Sequence, residues 1–207
     1  MTKPYVSYGY FYSGVVTILL CPGPRPRNAA ATRTAILDAA RERFAAESYD
    51  DVGMRDIARD VGVDAALISR YFGSKDDLFL AALESCGDGS ALMQGDKADF
   101  GRRVAHEVVF EPKKAEKLKG MSIMLRSIGS ARASEMVQST CTARFFHPLQ
   151  EWISGPDAKI RARLLAGTIM GMSISRELGG GSFGLEPDEC ERMRDRLAVF
   201  LQSLIDN

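Results

Sequence analysis

The sequence predicts an all-α fold of about nine helices, divided into a small N-terminal part and a larger C-terminal part. Three observations carry this. Beyond residue 31, apolar residues return every three or four positions, the period of one helix face. No segment alternates apolar and polar residues with the period of two that a half-buried strand requires. The strongest breaks are the Gly- and Ser-rich run at 86–95 and the Gly179-Gly180-Gly181-Ser182 turn, and both separate helical stretches.

The first helix is predicted over residues 32–47, where Ile36, Ala40 and Phe44 repeat four apart with Leu37 beside them. Tyr49-Asp50-Asp51 breaks it. A short second helix covers 54–61 and stops at Gly62, a residue suited to a left-handed turn. A third covers 64–72, with Asp64 as its N-cap and Gly73 as its end. Ser74 caps a fourth, which runs to 84 and carries Asp76 and Asp77 in its first turn, where carboxylates complement the helix dipole. Five more helices are predicted over 99–110, 114–129, 133–153, 158–178 and 187–205.

Composition narrows the class. The 207 residues are 45% hydrophobic and 26% charged, as in an ordinary globular protein. Basic and acidic side chains balance at 27 each, which excludes a uniformly basic, histone-like binder. Any affinity for nucleic acid must then rest on where charge is placed. Cys21, Cys86, Cys141 and Cys190 are widely spaced, so free thiols in a reducing cytoplasm are expected.

Residues 1–24 stand apart. No residue from Pro4 to Pro24 is charged, and Tyr5, Tyr8, Tyr10, Phe11 and Tyr12 precede an apolar run ending in Leu20-Cys21. Ser7, Gly9, Ser13, Gly14 and Thr17 interrupt it too often for a membrane span of ~20 apolar residues. Leu20 is too large for the position before a lipoprotein cysteine. The segment shares neither composition nor periodicity with the rest. It is read as a tail outside the fold, disordered or translated from a start upstream of the true one.

The functional pattern lies at 54–72, M-R-D-I-A-R-D-V-G-V-D-A-A-L-I-S-R-Y-F. Ile57, Val61, Val63 and Ile68 sit at core spacing, Ala58 is small where two helices cross, and Gly62 marks the turn four residues later. This is a helix-turn-helix over 53–72, in which one helix braces and the next enters the major groove. An ordinary helical hairpin shares most of these features, and the flanks separate the two. T-R-T-A-I-L-D-A-A-R-E-R-F at 32–44, Tyr49, R-D-I-A at 55–58, Gly62-Val63 and Y-F-G-S-K-D-D-L-F at 71–79 follow in an order and spacing that resemble the tetracycline-repressor (TetR) family of bacterial regulators. The resemblance is strong over 25–83 and extends to 207 through helix count.

The resemblance implies a DNA-binding domain over 25–86 and a ligand-sensing and dimerisation domain over 87–207. It implies a homodimer that represses from a palindromic operator in double-stranded DNA and is released by a small apolar or amphipathic effector. Tyr71 and Lys75 would contact phosphates. The chain departs from the family pattern at Gly53, where members often carry Ser or Thr, and at Leu67-Ile68-Ser69, where many carry Thr-Leu-Tyr. Base preference therefore does not carry over.

The candidate DNA-binding residues are Arg25 and Arg27 in a basic arm, Arg55 at the start of the brace helix, Asp64, Ala65, Ala66, Ser69 and Arg70 on the recognition helix, then Tyr71 and Lys75. Residues 25–80 hold nine basic and ten acidic side chains, so Asp38, Glu42, Asp50, Asp51 and Asp60 are expected to face away from DNA.

In the second half, Cys190, Met193, Leu197, Phe200, Leu201 and Leu204 form an apolar stripe on the last helix. On the helix before it, Leu164, Gly167, Gly171 and Ser175 form a small-residue face, with Leu165, Ile169 and Met172 on another side. A helix apolar on two sides packs on a core and a partner, so these two faces are the candidate dimer interface. Six of nine methionines lie beyond residue 120. Met121, Met124 and Met172, with Phe100, Val104, Val108, Leu125, Ile128, Phe145 and Trp152, are candidate linings of an apolar ligand pocket, although ordinary core packing gives the same pattern. Lys113, Lys114, Lys117 and Lys119 read as a solvated helix face, and His106 and His147 as structural or exposed.

Two alternatives remain in view. A helical enzyme is opposed by the lack of G-x-G-x-x-G, a phosphate loop, H-E-x-x-H and G-x-S-x-G, and by a total of two histidines. A membrane-tethered module rests only on residues 1–24. The expectation is a cytoplasmic protein that is not an enzyme, with no cofactor, metal or membrane partner.

Overall fold

A computed structural model describes residues 29–87 and 89–206. Among them, regular structure is helical throughout: α1 (Ala29–Ala46), α2 (Met54–Val61), α3 (Ala65–Phe72), α4 (Lys75–Glu84), α5 (Phe100–Phe110), α6 (Ala115–Arg126), α7 (Ala131–Cys141), α8 (His147–Ile153), α9 (Ala158–Leu178) and α10 (Pro187–Asp206). The tail 1–24, Arg25 and Arg27 lie outside the described residues. No helix among the described residues is long and apolar enough to cross a membrane.

Two predicted helices change shape. The one over 133–153 is α7 and α8 joined by a π-helical turn at Thr142–Phe146. Pro148 has no N–H to give the Arg144 carbonyl, so the α ladder lapses where the π turn sits. The one over 114–129 ends at Arg126 and tightens into a 3₁₀ turn at Ser127–Gly129.

Two cores organise the chain. In the first, Ile36, Ala40 and Phe44 of α1 meet Tyr49 and Val52, Ile57 and Ala58 of α2, Ile68 of α3, and Leu78, Phe79, Ala82 and Leu83 of α4. Phe79 is set edge-on to Phe44 and to Tyr49, with centroids 5.1 Å away in both cases. Ile123 of α6 and Ala133 and Met136 of α7 complete this core. The N-terminal helices therefore close their apolar surface only against part of the second half.

The second core is built by α5, α8, α9 and α10 around Phe100, Val104, Leu149, Leu165 and Leu201. Here α5 and α10 form the most extensive helix pair of the described chain. Gly101 permits it: a Cβ there would lie 2.3 Å from the Ala198 carbonyl oxygen, and its N–H donates to Gln202 Oε1 at 2.8 Å. Two buried arginines of α9 fasten helix ends. Arg161 donates to the Leu204 and Ile205 carbonyls at 3.2 and 3.3 Å, and Arg176 to the carbonyls of Phe110 and Glu111. Each guanidinium meets the negative end of a helix dipole, α10 and α5 respectively, which offsets its burial.

Several readings of the second half are corrected. Leu197, Leu201 and Leu204, placed in the candidate dimer stripe, are buried in the chain's own core with Cys190, and Met193 packs against that core. The pocket candidates do not converge on one cavity. Phe100, Val104 and Val108 are fully packed in the second core with Phe145, Trp152 and Met172 against it, Met124 packs on the first core, and Met121 is half-buried. Leu125, in the last turn of α6, and Ile128, in the 3₁₀ turn after it, are exposed, Ile128 to 75%. A cleft of about 600 Å³ lies apart from most of these candidates, along the π turn, lined by Glu135, Gln138, Ser139, Thr142, Ala143 and His147.

The lysine run is also not simply solvated. The Lys113 side chain is 7% exposed and lies 3.7 Å from Glu107, with burial lowering its pKa, while Lys119 pairs with Glu42 of α1. Cys86, Cys141 and Cys190 are free thiols.

Candidate nucleic-acid interface

The turn between α2 and α3 is built by local chemistry. Gly62 adopts φ 72° and ψ 37°, where a side chain would strain the backbone. Its N–H donates to the Arg59 carbonyl at 3.2 Å and that of Val63 to the Ala58 carbonyl at 2.9 Å, the paired bonds of a Schellman end. Asp64 follows as N-cap of α3, accepting from the Ala66 N–H at 2.7 Å. This carboxylate, a candidate for DNA contact, is thus committed to the helix start. At Gly53, the start of α2, no side chain caps the helix.

Of α3, Ile68 faces the core and Ala65, Tyr71 and Phe72 pack partly against it. Ala66, Ser69 and Arg70 are exposed at the i, i+3, i+4 spacing of one face. Next, α4 opens on a capping box: Ser74 Oγ accepts from the Asp77 N–H at 3.1 Å, and Asp77 Oδ2 accepts from the Ser74 N–H at 2.9 Å. The Ser74 hydroxyl, which donates to Asp77 Oδ2 at 2.6 Å, and the Ser74 N–H hold the Asp77 carboxyl below its usual pKa. Lys75, half-buried, sets its Nζ over the Tyr49 ring, 4.3 Å from the centroid.

Pairing decides the electrostatics. Asp60 is bound by Arg43 at 2.6 Å, Asp56 by Arg59 at 3.0 Å, Asp38 by Arg41 and Glu42 by Lys119. Asp50 accepts from Ser130 at 3.2 Å, and Asp76 from Tyr49 and Arg132. Arg55 and Arg70 are exposed, and neither has a carboxylate partner among the described residues. Near-neutral composition therefore still leaves cationic side chains on α2 and α3, with Lys75 at the start of α4. Sequence reasoning missed Arg33, whose guanidinium lies 4.7 Å from the Phe72 ring at the end of α3, and Arg132, which reaches Asp76 from 56 residues away. Only tertiary contact identifies either.

Comparison with known proteins bears on this arrangement. A family model for bacterial regulatory proteins of the tetR family matches residues 36–82, and one for the tetracyclin repressor-like C-terminal domain matches residues 98–205. The HTH-type transcriptional regulator BetI of Stenotrophomonas maltophilia is 24% identical over 158 residues, 68% of this chain and 81% of that one. A TetR-family regulator from Streptomyces coelicolor is 26% identical with a TM-score of 0.52, covering 89% of this chain and 100% of that one. Salmonella enterica GusR shares the fold at a TM-score of 0.61 and 21% identity, over 86% of this chain and 96% of that one.

Proposed function

Because the chain belongs to the TetR family of bacterial regulatory proteins, and so is a DNA-binding transcriptional regulator and not an enzyme, we propose that it represses as a homodimer on a palindromic operator and is released by a small-molecule effector. The observation that carries the DNA half of this reading is the exposed Ala66, Ser69 and Arg70 face of α3, with Arg55 and Arg70 free of carboxylate partners among the described residues and Lys75 at the capped start of α4. The exposed face of a recognition helix meets base edges, here from Ala66 in the first turn to Arg70 in the last, while helix N-termini and lysines hold phosphates.

Arg70→Ala tests it. If Arg70 reads a base, the variant loses about 1–3 kcal/mol on the operator and relaxes preference at one symmetric pair of positions. Sequencing the duplexes enriched from a random pool by both proteins measures this. A uniform loss over all sequences would make Arg70 a phosphate contact, and no loss would remove α3 as the reading helix.

The dimer reading rests on α9 and α10. Ile160, Leu164, Val199 and Phe200 are exposed large apolar side chains, Val199 to 73%. Gly167, Gly171 and Ser175 are exposed on α9 as well, and a Cβ at either glycine meets nothing within 4 Å. Mid-helix glycine costs about 1 kcal/mol against alanine, and close approach of a second copy's helix is what such a face accommodates. Leucine at 171 has room in a single chain, so Gly171→Leu is expected to leave the monomer's fold intact and shift dimer to monomer by light scattering. A wild-type monomer at micromolar concentration refutes this interface.

Effector release rests on α4. It begins at the proposed DNA face with Lys75 and ends in the first core with Leu83, against Ile123, Ala133 and Met136 of the second half. A rearrangement of α6 and α7 would therefore be felt at the start of α4.

A further inference from the structure

The proposed DNA face carries a carboxylate that phosphate binding alone disfavours. Asp76 is the second residue of α4, beside Lys75. Its neighbour Asp77 is folded back into the capping box, whereas Asp76 has partners from two other places. The Tyr49 hydroxyl donates to its Oδ1, and Arg132 of α7 brings Nε and Nη2 to 3.0 and 2.7 Å from its Oδ2. These bonds hold Asp76 below the usual carboxylate range, so it stays charged at neutral pH. The same Tyr49 ring receives Lys75 on its face.

Arg132 is placed with some care. Ser130 caps α7, accepting from the Ala133 N–H at 3.3 Å while its hydroxyl donates to Asp50 at 3.2 Å, beside Tyr49. Ala133 and Met136 anchor the helix in the first core, and Glu135 lies 3.4 Å from Arg132 Nη1. As a partly exposed ion pair the bridge contributes little stability. Its position is what matters.

We propose that Arg132, from the second half of the chain, is a positioning residue for DNA binding: it neutralises and orients Asp76 so that Lys75 and the start of α4 are left to receive a phosphate. The inference rests on the DNA face proposed above. Without Arg132, a negative charge answered only by the Tyr49 hydroxyl stands at the phosphate-facing turn, and the Lys75 ammonium is the adjacent cation to answer it. Docking of α7 thereby becomes a condition for leaving Lys75 free at the start of α4.

The test compares wild type, Arg132→Ala, Arg132→Lys, Asp76→Asn and the double variant Asp76→Asn/Arg132→Ala on the duplex that wild type enriches from a random pool, across a salt series. Arg132→Ala should bind roughly tenfold more weakly at low salt, with a salt slope lower by about one, the signature of one lost phosphate contact. Arg132→Lys should bind nearly as wild type. The double variant should regain most of the affinity, because the uncompensated charge is gone. Both alanine variants lack the same ion pair, and the salt slope, which lost stability does not move, carries the result even if each melts early. Wild-type affinity in Arg132→Ala, or equal weakness in Arg132→Ala and the double variant, overturns the inference. A wild-type protein that enriches no sequence overturns the underlying DNA-face reading instead.

Discussion

Phe79→Ala is expected to remove about 3–5 kcal/mol of stability, the range for truncating a buried phenylalanine. Phe79 is 1% exposed and is the common neighbour of Phe44 and Tyr49. A folded domain commonly holds only about 5–15 kcal/mol in total, so this one change takes a large share. It also removes one of the two rings against which Tyr49 is set, so the Tyr49 ring under Lys75 and the hydroxyl bound to Asp76 lose part of their support. DNA binding should fall with stability. Urea unfolding followed by circular dichroism measures the first effect and operator titration the second. A cost below about 1 kcal/mol would mean that the three rings do not support the N-terminal core.

Gly101→Ala is expected to be the other large loss. A single methyl group there meets the Ala198 carbonyl oxygen at 2.3 Å and Gln202 atoms at 2.8 Å, backbone included, so α5 and α10 must separate. Overpacking of this kind costs about 1–3 kcal/mol, and rigid backbone on the far side favours the upper end. Separation also breaks the bond from the Gly101 N–H to Gln202. Gly167→Ala is the control, since its added methyl meets nothing within 4 Å of the same chain and should leave the isolated protomer unharmed or slightly more stable. If the two variants unfold at the same denaturant concentration, the close approach of α5 and α10 is not a constraint.

The N-terminal third was the most legible part of the chain. Gly62, Asp64 and Ser74 were expected as a turn, an N-cap and an N-cap, and all three take those roles with the hydrogen bonds that define them. Such signals act within four or five residues, where the chain's own geometry fixes who meets whom. The apolar face of α1 was equally readable, because Ile36, Ala40 and Phe44 sit on one side of any helix. The last helix shows where that reasoning stops. Its stripe was recognised, but periodicity says only that a face is covered. Leu197, Leu201 and Leu204 are covered within the second core of the same chain, chiefly by α5, while Val199 and Phe200 stay exposed.

The sequence by itself determined the all-helical class, the turn of the helix-turn-helix, the caps that start α3 and α4, and the family, since each depends on neighbours in the chain. Tertiary structure alone decided how charge is distributed over the proposed DNA face. Asp60 is answered by Arg43, Glu42 by Lys119 and Asp76 by Arg132, at separations of 17, 77 and 56 residues. It also decided that α6 and α7 complete the first core, and that Arg161 and Arg176 close the ends of α10 and α5. The reason is one of range. A cap or a helical period is satisfied within a turn of backbone, but an ion pair or a buried guanidinium is defined by whichever distant segment the packing of apolar faces brings within about 3 Å.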